Sequence, residues 1–385
     1  MSRIQNIDIL RGLVIVIMTL DHTRDFVHEN VLSIEPTDLS QSNPALFLTR
    51  WITHLCAPTF VFLAGVSAYL SMSNNPNISE NRTFLIKRGL WLIFVNFTIN
   101  NFGIFLDIHF SIFFLQVIAA IGFGFLILAA ILKLGANKIG LIGGIVLLSH
   151  NLFQGISFGE NHALNFLWAL FMNKGYFQIT PSTGVLISYA IIPWSAILLV
   201  GFGTAAIISK PQNERQLFKI GMGALLSFIV LRFINLYGDP APWTLQKNVT
   251  MTFLSFINTT KQPPSLLFVL MTLGISFLLL FLFRTAGNKF TKWLSIFGKV
   301  PLFYWTIHWF VLHFVAIVYY LGQGYGWQDL EFSGFGFGKP ADGQGMSLKW
   351  VYVTWIFVVL FMFPLAKLYG VYKFKNSDKS WLRYM

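Results

Sequence analysis

Residues 7–29, IDILRGLVIVIMTLDHTRDFVHE, combine an apolar centre with ionisable ends. Asp8 and Arg11 lie near the start, and Asp21, His22, Arg24, Asp25 and His28 crowd the finish. The centre reads as a membrane helix. A charge near the middle of such a helix costs about 2.5–3.5 kcal/mol or more, so ionisable groups there mark a functional site by default. At about 100° and 1.5 Å per residue, Arg11 and His22 fall about 20° apart around the axis and about 16 Å apart along it. Asp8 and Asp25 fall within about 60° of the same line. The result is a stripe with a charge pair at one surface and a histidine deep toward the other, and it should face a cavity. Parts of it also have a purely structural account: Asp8–Arg11 as an i,i+3 pair, Asp21–His22 as a hydrated interfacial pair. The density of the cluster from Asp21 to His28 favours the site.

Other residues converge on that end. In LTRWITHLCAPTFVFLAG, Arg50 and His54 are i,i+4 neighbours that share a face and meet the exit of the first helix, with Pro58 as a kink. His308 and His313 lie in KVPLFYWTIHWFVLHF, His308 near mid-membrane. His308 reads either as a site residue or as a ring bonded to a backbone carbonyl. His109, His150 and His162 fall near outer ends and read as interfacial. The eight histidines lack spacings such as HExxH, so no metal site is expected. Lys87 and Arg88, in FLIKRGLWLIF, are either topology signals or phosphate ligands. Asn96, Asn100 and Asn101 read as amides that join helices.

The elements that must position these groups follow from composition. Only 11% of the 385 residues are charged, against about 25% in soluble domains, so the chain is read as a polytopic membrane protein. Ten apolar segments are expected at 6–26, 49–72, 84–103, 112–132, 138–155, 184–208, 216–236, 264–284, 297–321 and 347–371, as one all-α integral-membrane domain over 1–385. Most of the 27 lysines and arginines fall in alternate connections: Arg82, Lys87 and Arg88; Lys133 and Lys138; Lys210, Arg215 and Lys219; Arg284, Lys289, Lys292 and Lys299; then Lys367, Lys373, Lys375 and Lys379. That bias puts both termini in the cytoplasm and the long loops outside, and it accounts for the net charge of +12 without nucleic acid. One cysteine, Cys56, leaves no intrachain disulfide, and the first helix shows no cleavage pattern of a signal peptide. Residues 162–173 read as an interfacial amphipathic helix. Residues 333–345, rich in glycine, read as a flexible loop. No strong internal repeat is visible, which weakens the alternative of a transporter or flippase for a sugar or lipid conjugate.

The stretches IDILRGLVIVIMTLDHTRDF and LTRWITHLCAPTFVFLAGVSAYLSM resemble the opening of the heparan-alpha-glucosaminide N-acetyltransferase family, within the wider transmembrane acyltransferase superfamily. IIPWSAILLVGFG, KQPPSLLFVLMTLG and GKVPLFYWTIHWF resemble its bacterial branch. The resemblance implies an enzyme in the bacterial cytoplasmic (inner) membrane. It takes an acyl group from cytoplasmic acetyl-CoA or another acyl-CoA and passes it to an amine or hydroxyl of an extracytoplasmic sugar or glycan. The family's catalytic histidine lies near the outer end of helix one or just after it, which here is His22 or His28. Asp21 matches the assisting position. His22 is preferred because it shares the stripe with Arg11.

The residue chemistry is compatible with that implication. The phosphates of the acyl-CoA fit near Arg11, Lys87 and Arg88, with the pantetheine arm following the stripe from Asp8 to His22. A neutral histidine serves as general base, an adjacent aspartate orients it, and an acyl-histidine intermediate stays open. Arg24, Arg50, His54 and His308 are the expected acceptor-side residues. Membrane lipid surrounds the chain, and a homodimer stays open.

Overall fold

The computed structural model describes residues 4–29, 34–73, 75–210, 213–332, 334–376 and 378–383. The first helix, α1 (Gln5–Val27), carries Asp8 in its first turn and Arg24 in its last, each the charge that suits that end of the helix dipole. It is the hub of the chain, packed against six other helices: α2 (Pro44–Thr53), α3 (Cys56–Met72), α12 (Leu266–Leu282), α13 (Lys289–Gly298), α14 (Pro301–Gly322) and α15 (Leu348–Lys375). Around them stand α4 (Ile78–Val95), α5 (Asn101–Phe105), α6 (Val117–Ile131), α7 (Ala136–Ser149), α8 (His162–Phe171), α9 (Ile191–Ser209), α10 (Glu214–Ile234) and α11 (Val249–Ile257).

Among the described residues, seven helical stretches are long and apolar enough to cross a membrane: Pro44–Met72, Val117–Leu134, Ile191–Ser209, Glu214–Ile234, Leu266–Thr285, Pro301–Gly322 and Leu348–Lys375. The chain is an integral membrane protein by that measure. The ten expected segments resolve differently. α1 is long enough, but its charges keep it out of that set. The segment 84–103 is one continuous helical run whose middle, Asn96–Asn100, is a π turn between α4 and α5. α7 has 14 residues, about 21 Å, short of a bilayer core of about 30 Å. The segment 49–72 breaks at His54–Leu55, because Pro58 has no N–H to give to the carbonyl of His54.

The chain is mostly helical but not all-α. Segments 112–132 and 184–208 begin as strands, where aromatic and β-branched residues pair instead of continuing the helix. β1 (Ile112–Leu115) runs parallel to β3 (Thr183–Ile187), and β2 (Gly175–Thr180) runs antiparallel to β3, giving the order β1-β3-β2. The asparagines of the π region hold β1: Asn96 Nδ2 donates to Phe114 O at 2.9 Å and Asn101 Nδ2 to Ile112 O at 2.8 Å. Thr306 Oγ1 donates to Asn100 Oδ1 at 3.0 Å, tying the same region to α14. Of the three amides expected to join helices, Asn100 does so, while Asn96 and Asn101 bond a strand.

Within the glycine-rich stretch that reads as a flexible loop, β5 (Lys339–Pro340) pairs with β4 (Leu330–Glu331) just before it, and Met346 just after it closes on the end of α1. Met346 N donates to Val27 O at 2.6 Å, and Glu29 N to Met346 O at 3.1 Å. Phe337 stacks on Phe26 of α1 at 5.0 Å and on Phe105 at 6.2 Å.

Candidate active site

The site begins where α1 meets α13. A Cβ on Gly12 would lie 1.9 Å from Leu294 O, and one on Gly298 would lie 1.9 Å from Asp8 O, so the two backbones touch only because both positions are glycine. That contact exposes the Gly298 carbonyl to Arg11, whose Nη1 donates to it at 3.1 Å and to Asp8 Oδ1 at 3.3 Å. Arg11 Nη2 donates to Ser67 Oγ at 2.8 Å. The guanidinium is thereby fixed at the mouth of a cavity of about 310 Å³.

Four cations line that cavity, Arg11, Arg88, Lys299 and Lys373, and among the described lining residues there is no carboxylate. Above them the wall turns apolar through Ile15, Met18, Leu92, Ile118, Ile121, Phe125 and Leu302, and the far end is Trp305. Such a shape, within the volume range of small-molecule sites, suits a ligand with an anionic head and a narrow, less polar arm. Lys87, adjacent to Arg88 in sequence, is exposed and lines a separate shallow recess beside Glu80. Asp8 lines another recess with Lys292 and Lys299. Of the four expected donor-side residues, the cavity thus gathers Arg11 and Arg88, and adds Lys299 and Lys373.

At the far end, Trp305 and the half-buried ring of His22 pack in a T-shape, with centroids 5.5 Å apart and planes at 83°. Trp309 stacks on His22 at 4.1 Å. His22 Nδ1 lies 2.7 Å from His308 Nε2, and His308 Nδ1 lies 3.1 Å from Tyr304 O. His308 is fully buried, and its ring is in direct contact with His22. One turn back, Thr19 Oγ1 and the Tyr304 hydroxyl are 2.9 Å apart, so α1 and α14 are joined at two successive turns.

Asp21 faces another way. Its Oδ1 pairs with Arg24 at 3.0 Å and its Oδ2 is bound by Arg50. Arg24 also donates to Asp25 Oδ1 at 2.6 Å. Oδ2 accepts from Arg50, Oδ1 has an ion pair but no hydrogen bond, and among the described residues no hydrogen bond joins this carboxylate to the His22 imidazole. Arg50 meets the end of α1 at Asp21. His54 is buried against Phe268, and its Nδ1 has no partner among the described residues. Lys261 joins this cluster from the KQPPS turn, which reads from sequence only as a turn. Burial, then the charge of Arg50, pushes its ammonium down to about 8, against the pull of Asp21.

His28 lies past the end of α1, half-buried, with Lys339 Nζ donating to its backbone carbonyl at 3.3 Å. Burial, then Arg24, lowers its imidazole from the ordinary range. Six residues beyond His22, it leaves the face that lines the cavity. His313 and His150 bond backbone carbonyls, at Ile104 O (2.9 Å) and Pro264 O (2.8 Å). His150 is buried within the protein.

A family model described as heparan-alpha-glucosaminide N-acetyltransferase, catalytic, matches residues 3–235. The match runs from α1 through α10, so it includes Arg11, His22, Arg50 and Arg88, while Lys261, Lys299, His308 and Lys373 lie beyond it. No curated protein matches the chain.

Proposed function

The chain belongs to the heparan-alpha-glucosaminide N-acetyltransferase catalytic family, whose members are acetyl-CoA-dependent acyltransferases, and from that premise we propose that it carries an acetyl group through the membrane to a sugar amine. The donor is cytoplasmic acetyl-CoA, the acceptor an extracytoplasmic amino sugar or glycan, and the membrane the bacterial inner one. Both termini lie on the cytoplasmic side. The observation that supports this reading best is the cavity with a four-cation mouth and an apolar shaft that ends on Trp305, which packs in a T-shape with His22.

Arg11, Arg88, Lys299 and Lys373 hold the phosphates, where each charge-assisted hydrogen bond contributes about 1.5–3 kcal/mol. The arm follows Ile15, Met18 and Leu302, and the thioester comes to rest at the Trp305 end. His22 takes a proton from the acceptor amine as its nitrogen attacks the thioester carbonyl. The carbon–sulfur bond breaks, and the thiolate of CoA recovers the proton from His22. In the covalent variant, His22 itself first accepts the acetyl group and then yields it to the amine, with the same net transfer. Arg24, Arg50, His54 and Lys261 form the acceptor side. His22, not His28, is the reacting histidine in this reading, because only His22 adjoins the wall of the shaft.

The test is thiol release from acetyl-CoA by the purified protein in detergent. Release that requires an amino sugar supports the proposal. No turnover with any acyl donor, together with sugar-driven flux into liposomes, overturns it in favour of a transporter.

A further inference from the structure

We infer that His308 is a positioning residue that fixes the tautomer of His22, leaving Nε2 of His22 as its bare, reactive nitrogen. This rests on the reading of His22 as the reacting histidine. The Tyr304 carbonyl can only accept a hydrogen bond. Lying 3.1 Å from His308 Nδ1, it requires that nitrogen to carry the hydrogen. A neutral imidazole has one donor and one acceptor nitrogen, so His308 Nε2 presents a lone pair. That lone pair faces His22 Nδ1 at 2.7 Å, which must then be the N–H of its ring. The hydrogen of His22 is thus held on the side of α14, and Nε2 is free to take a proton or an acyl group.

The surroundings remove the usual alternative. A carboxylate is the common partner that orients a reacting histidine, but Asp21 is ion-paired with Arg24 and Arg50, and among the described residues it makes no hydrogen bond to His22. The register of the two helices is held by the Thr19–Tyr304 hydroxyl contact, and the plane of the ring by Trp309. His308 is sealed from water, so no solvent molecule competes for its Nε2. When His22 takes a proton at Nε2, the ring becomes cationic and the His308 lone pair meets that charge directly.

The experiment reads the tautomer as well as the rate. Protein labelled with 15N-histidine is reconstituted in lipid, and the His22 signals are assigned by their loss in His22→Ala. The wild-type ring is expected to be protonated at Nδ1 and bare at Nε2. His308→Leu should convert it to the Nε2–H form, while His308→Gln, whose amide oxygen can accept from Nδ1–H, should retain the original form. In turnover, His308→Leu should lose about 10²–10⁴-fold in kcat with KM for acetyl-CoA within about threefold, the range expected when a general base is disabled. His308→Gln should recover at least about tenfold of that loss. A His22 ring bare at Nδ1 in the wild type, or one unchanged in both variants, overturns the inference even if the protein proves to be an acyltransferase. If no acyl transfer is found, the labelled-ring measurement still decides the tautomer on its own. Should His308→Leu not fold, equal turnover and an altered tautomer in His308→Gln would also contradict it.

Discussion

Arg88 and Lys87 are neighbours in sequence, carry the same charge, and are expected to behave oppositely. Gly89 and Gly122 fix the rotation of α4 on α6, since a Cβ on either would lie 2.7 Å from the other's carbonyl. That rotation turns the half-buried Arg88 to the cavity, its guanidinium carbon 5.9 Å from the Phe125 ring centre, and turns Lys87 outward. Replacing Arg88 by Gln removes a charge-assisted contact to phosphate worth about 1.5–3 kcal/mol, which is about a 10–150-fold loss in affinity. Replacing Lys87 by Gln removes only an exposed charge. Solvent and salt reduce such a charge to about 0–1 kcal/mol, no more than about fivefold. The assay is calorimetric titration of the detergent-purified protein with acetyl-CoA at two salt concentrations. Equal losses in both variants, or unchanged affinity in Arg88→Gln, would refute the assignment of the cavity to the donor.

Other perturbations test the frame around it. Gly12→Ala drives a methyl into the Leu294 carbonyl, with backbone on both sides, so it should cost about 1–3 kcal/mol or more and weaken acetyl-CoA binding as Gly298 withdraws from Arg11; a wild-type apparent Tm would contradict the close contact. Arg232 is buried, with its guanidinium donating to the carbonyls of Phe256, Ala241, Ser255 and Asn258. Arg232→Met should therefore destabilise by about 3–5 kcal/mol, visible as loss of the folded fraction in size-exclusion profiles. Burial pushes the Lys339 ammonium down to about 7 from an ordinary 10.5. The folded state then binds fewer protons than the unfolded one between those values, so this residue makes stability rise with pH across that window. Lys339→Met should be relatively more stable at pH 6.5 than at pH 9.5, and a pH-independent difference in apparent Tm would dismiss the buried amine.

How much of this was legible depended on the distance over which residues interact. The apolar runs and the charges of α1 could be read directly, because helix periodicity is local. The alignment of Arg11 with His22 follows from the same periodicity, and Ile15 and Met18 between them do line the cavity. The meeting of Arg50 with the end of α1 was also legible, since the two helices are consecutive. The pairing of His22 with His308 was not, because the residues are 286 positions apart and nothing local selects one buried histidine over another. Lys299 and Lys373 look like topology signals until α13 and α15 bring them to the mouth. The strands hid inside apolar segments because buried strands and helices share composition. Nor does adjacency show where Asp21 points: neighbours on a helix diverge by about 100°, and its carboxylate is ion-paired with Arg24 and Arg50.

In the proposed reaction, His22, at the end of the shaft, is where the acetyl group changes hands. The most direct measurement of this claim is thiol release from acetyl-CoA in the presence of an amino sugar by His22→Ala and His28→Ala, with acetyl-CoA affinity measured on the same samples. His22→Ala is expected to bind acetyl-CoA within about twofold of wild type and to release no thiol above background, while His28→Ala retains turnover. An active His22→Ala beside an inactive His28→Ala that still binds acetyl-CoA would contradict the claim and move the reacting group to the far side of the α1 exit.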